Sequence, residues 1–198
     1  MLVFGLAIIL IFALSTNISR EILINYSPGM FWVMNLFIVV LGVHRSFAYE
    51  KEFDAFSLLV SAPIDRGFIF LSKWISGFIF LTATQVIIIA PFFKLLLLDF
   101  PENLSLFVLT AILINIGMMA IANLVSGIVI RSNFSEILLP LILFPLLSPL
   151  MIAATKISSG VISLQPFNIW NVWVLIVISI VVLFGLAGYA LFDFIVEE

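Results

Sequence analysis

Charge-free stretches long enough to cross a bilayer leave this chain little choice of fold. The runs 22–43, 74–93, 103–130 and 137–155 contain no Asp, Glu, Lys or Arg. Each is near or above the roughly 20 residues that carry a helix across about 30 Å of hydrocarbon. Apolar residues stand on consecutive positions rather than every second one, so the alternation of a membrane β-barrel is absent. With 64% hydrophobic and 10% charged residues, against about a quarter charged in soluble domains, the sequence reads as an all-α integral membrane protein.

The same composition removes whole classes of chemistry. There is no cysteine, hence no disulfide, thiolate nucleophile or thiolate metal site. A single histidine, His44, gives no multi-histidine metal cluster and poor material for a serine–histidine pair, which needs nucleophile and base within hydrogen-bond reach. No span core carries paired carboxylates, and no G-x-x-x-x-G-K-[ST] stretch is present to cradle phosphates. No catalytic, cofactor-binding or metal-ligating residues are assigned, and with no basic tract at a net charge of −3 nucleic acid is not an expected partner.

Hydropathy predicts six membrane helices in a single transmembrane domain, at about 2–18, 28–43, 68–93, 104–130, 137–155 and 171–195. Pro28-Gly29 suits the start of the second, where a missing amide proton costs nothing. Pro140, Pro145 and Pro149 fall inside the fifth and free carbonyls that neighbours must satisfy, which predicts a bend. Six spans put both termini on one side. Placing 49–66 in the cytoplasm sets Arg45, Lys51, Arg66, Lys73 and Arg131 on the inner side against Arg20, Lys94 and Lys156 outside, so the termini are expected to be cytoplasmic. The first span begins almost at Met1 without the positive n-region of a signal peptide, and is read as a retained helix.

Charge gathers in one place. Seven of the nineteen charged residues lie between Arg45 and Arg66. Within 49–66, Tyr49, Phe53, Phe56 and Val60 fall on one helical face and Lys51, Asp54, Ser57 and Ser61 on another, the pattern of a helix lying in the membrane interface. Pro63 ends it, and Ile64-Asp65-Arg66-Gly67 turns the chain into the third span. The bland alternative is a loop that happens to be amphipathic.

Glu50-Lys51-Glu52, Ala55, Leu59, Ala62-Pro63, Asp65-Arg66, Phe70-Leu71 and Lys73 resemble the cytoplasmic segment of ABC-2-type permeases, and more narrowly that of the haem exporter B (CcmB) family of cytochrome c maturation. Ser27-Pro28-Gly29-Met30-Phe31-Trp32-Val33 is similar to that family's opening of the second helix, and the proline-interrupted leucine run Glu136 to Pro149 to its fifth helix. The sequence departs from the family pattern at Asp54, where a glycine is usual, and at Ser57, where an acid is usual. It does not show the family's basic segment ahead of the first span, so either the start is placed late or the lineage lacks that element.

The resemblance implies an ABC-2-type permease architecture in the bacterial cytoplasmic (inner) membrane, with the 49–66 segment as an amphipathic coupling helix that docks on a separate ABC ATPase subunit. Glu50, Lys51, Glu52, Asp54 and Phe56 are then the expected ATPase-coupling surface. ATP is expected on the partner, and haem is expected to be handled by the complex, which the resemblance implies would include a haem-handling membrane protein and a periplasmic haem chaperone. ATP hydrolysis would support haem export or release of the loaded chaperone. Rival readings are an ABC-2 permease for a lipid-linked glycan or drug, and a non-transporting membrane scaffold.

Other residues carry weaker signals. Asn35, Thr82, Thr84, Gln85, Asn115 and Asn123 could line a route, but interhelical hydrogen bonding is the favoured role. Trp170 and Trp173 could face haem at the outer surface, yet an aromatic belt accounts for them as well. Ala122, Ser126, Gly185 and Gly188 would permit close helix contact, a homodimer seam included. Lys73 is expected to snorkel to the inner headgroups.

Overall fold

The computed structural model describes residues 1–15, 19–53, 55–129, 132 and 134–197. They form α1 (Leu2–Ser15), α2 (Arg20–Glu52), α3 (Ala55–Ser61), α4 (Arg66–Leu95), α5 (Leu104–Val129), α6 (Ser135–Ile162) and α7 (Phe167–Glu197). Five of these, α2 and α4 to α7, are long and apolar enough to cross a membrane. The 14 residues of α1 rise only about 21 Å. The chain is therefore an all-helical, multi-pass membrane protein.

α2, α4, α6 and α7 outrun their expected apolar windows. α2 begins at Arg20, eight residues before the expected start, and holds Pro28 in its interior. Proline there leaves the carbonyl of Ile24 without its backbone donor, and the Ser27 hydroxyl donates to that oxygen at 2.9 Å. The same device recurs in α6, which runs through all three of its prolines: Ser148 Oγ donates to Pro145 O at 2.7 Å, the carbonyl that Pro149 cannot serve. A Ser-Pro pair thus repairs its own ladder.

Helix ends are closed by local bonds. Asp65 caps α4, its carboxylate accepting from Gly67 N at 2.8 Å. α4 and α6 each end in a left-handed residue, Leu97 (φ 55°) and Leu164 (φ 52°). The six-to-one bonds from Leu98 N to Phe93 O (2.9 Å) and from Gln165 N to Gly160 O (2.8 Å) complete Schellman turns there.

α5 is the central helix, buried along most of its length from Phe107 to Val129 and packed on α2, α4, α6 and α7. Phe31, Phe92, Phe93 and Phe107 interlock in edge-on and tilted contacts at 5.1–6.0 Å where α2, α4 and α5 meet. At that end Arg20 pairs with Asp99 across 2.5 Å. At the other end, Arg66 donates to the carbonyl of Asp193. Gly67 lies so close to α7 that a Cβ would stand 2.7 Å from the Tyr189 ring and 3.0 Å from its carbonyl oxygen. The first residue also lies toward this end, the Met1 side chain meeting Gly42, so both chain ends lie where α2 hands over to α4.

Candidate interaction site at the α2–α4 end

The expected interfacial helix over 49–66 is two elements. Tyr49 to Glu52 are the last turn of α2, and α3 is a separate seven-residue helix that packs back on α2. Tyr49 and Phe53 still share a face: their rings stack at 6.4 Å and 10°, and both are exposed. Asp54, and the side chains of Lys51, Phe56 and Val60, lie outside the described residues.

Glu50 and Glu52, neighbours in the expected coupling surface, point to different places. Glu52 is exposed and lines a cleft of about 330 Å³ with His44 and Glu136. Glu50 turns toward the bundle and forms an ion pair with Lys73 of α4, with side-chain exposures of only 21% and 12%. The Lys73 ammonium also sits 4.6 Å from the centre of the Phe47 ring, so this cation is held by an acid and an aromatic face. Lys73 was missed as a site residue. An ionisable group well inside a span calls for a partner, and Glu50 is the signal that could have found it.

Arg45, one turn before Tyr49, donates to the Tyr49 hydroxyl at 3.2 Å. Its guanidinium carbon is 5.6 Å from the same ring centre. Arg45, Glu50, Lys73 and Asn123 border a cavity of about 430 Å³ between α2, α4 and α5, with Ile38, Val39, Leu81 and Met119 as its apolar wall.

Deeper polar residues make internal bonds, although Asn35 Oδ1, Gln85 Nε2 and Asn115 Oδ1 stay buried without a partner among the described residues. Asn115 donates to Gln85 Oε1 at 2.6 Å and to Thr82 Oγ1 at 3.3 Å, joining α5 to α4. Asn35 and Thr84 bond back to carbonyls of their own helices. Asn123 reaches Met119 O and Lys73 O. Trp170 is 5% exposed and donates to Gln165 O, which suits packing rather than an outward contact. Ala122 and Ser126 are buried, while Gly185 and Gly188 lie against the Trp74 and Phe70 rings of α4. These small residues serve packing within the chain.

The fold and site define a class: a polytopic helical membrane protein whose charged side chains gather mostly at the end where α2 hands over to α4. The CcmB protein family model matches residues 1–193, and the chain belongs to that family. It is 24% identical over 152 residues to heme exporter protein B of Pseudomonas aeruginosa, covering 76% of this chain and 67% of that protein. No solved structure matches.

Proposed function

We propose that this chain is the membrane subunit of an ABC-type exporter complex in cytochrome c biogenesis. In this reading it couples ATP hydrolysis on a partner ATPase to haem export or to release of a haem-loaded periplasmic chaperone. The observation that carries the reading is the family match over residues 1–193, joined by the relative whose name is heme exporter protein B. A six-span arrangement with cytoplasmic termini completes it.

The α2–α4 end suits coupling for a physical reason. A push on α3 or on the last turn of α2 reaches α4 through the Glu50–Lys73 pair and through the short connection capped by Asp65. α4 is in turn fixed to α5 by Trp74, whose indole donates to Ile116 O at 2.8 Å. The docking face is Glu52, Asp54, Lys51 and Phe56, with Glu50 relaying load inward rather than touching the partner.

The test is genetic. Deleting the gene abolishes assembly of c-type cytochromes, read as covalent haem staining of membrane fractions, and the wild-type gene restores it. A deletion strain with normal c-type cytochromes refutes the assignment.

A further inference from the structure

We infer that the cavity between α2, α4 and α5 is a binding site for one anionic phospholipid, entered from the membrane at the α2–α4 end. Its walls carry the polarity gradient of a lipid. Ile38 and Val39 mark the deep, apolar end, with Leu81 and Met119 facing them, and Arg45 and Glu50 mark the charged rim. From Ile38 to Glu50 is twelve residues of continuous helix, about 18 Å of rise, the length of a headgroup with the first several methylenes of its chains.

Charge decides which lipid. Lys73 and Glu50 form an ion pair, so the acid on the rim is matched by a base. Arg45 bonds to a neutral tyrosine hydroxyl and pairs with no carboxylate among the described residues. Among the described residues lining the cavity, Arg45, Glu50 and Lys73 leave one positive charge, carried by a planar guanidinium with donors to spare and suited to bidentate contact with a phosphate. An exposed arginine beside an apolar slot in a chain surrounded by lipid favours a ligand that is acidic at one end and hydrocarbon at the other. Lipid is also the molecule the surroundings present at highest concentration.

The experiment uses the full-length protein purified in a zwitterionic detergent and mixed with equal amounts of phosphatidylglycerol and phosphatidylcholine of the same acyl chains, the bound species being counted by native mass spectrometry. Wild type retains one phosphatidylglycerol in preference to phosphatidylcholine by about fivefold, the scale of one basic residue against an anionic lipid. Arg45→Gln removes the preference, Arg45→Lys keeps part of it, and Arg20→Gln at the opposite end keeps all of it. Equal retention of the two lipids by wild type overturns the inference whatever the variants do. So does an undiminished preference in a folded Arg45→Gln protein, or stoichiometric displacement of the lipid by added haem, which would give the cavity to haem.

Discussion

Lys73 shows how one side chain can be misjudged by position alone. Seven residues into α4, a lysine has the stem to reach the headgroups, and snorkelling is the default expectation. The fold instead brings the end of α2 alongside, so that Glu50 and the Phe47 ring receive the ammonium. Which acid a buried base meets depends on how two helices pack, and periodicity along one helix is silent on that. Glu50→Gln removes the acid of the Glu50–Lys73 pair, and we expect a loss of about 1–3 kcal/mol, the scale of a hydrogen bond to a charged group. Glu50→Lys is worse, and the exchange of both residues recovers part of the loss. Thermal unfolding in detergent of the two single variants and the swap measures this; a swap no better than Glu50→Lys would deny the pair its structural role.

At the scale of elements, apolar runs announced where helices cross but not where they stop. α2 passes through Pro28 because Ser27 closes the freed carbonyl, whereas Pro28-Gly29 taken alone reads as a beginning. Conversely, the amphipathic pattern from Tyr49 to the stop at Pro63 suggested one helix, whereas α2 ends at Glu52 and a separate α3 begins at Ala55. Tyr49 and Phe53 still stack, so apolar spacing at the end of α2 does not reveal where that helix stops. The Ser27 device can be tested by a double-mutant cycle. Ser27→Ala orphans the Ile24 carbonyl and costs about 1 kcal/mol, while in a Pro28→Ala background the backbone amide returns and the same change costs almost nothing. Equal costs in both backgrounds would mean that the hydroxyl does not serve the carbonyl.

For the molecule as a whole, the membrane body was readable in advance, as was the gathering of charge where α2 hands over to α4. Its class followed from the charge-free runs, and its family from motifs spread over α2, the α2–α4 connection and α6. Less legible was the assignment of roles within the charged end. The sequence groups Glu50 and Glu52 as equals, yet only Glu52 is exposed, since Glu50 is engaged with α4. The proposed account therefore puts partner contact on Glu52 and Asp54, and force transfer on Glu50 and Lys73. Co-purification of the partner ATPase with Glu52→Lys/Asp54→Lys protein tests this most directly. The account predicts that the double variant inserts in the membrane at wild-type levels but recovers about tenfold less ATPase, equivalent to about 1.4 kcal/mol of lost contact. Undiminished recovery of the ATPase would contradict it.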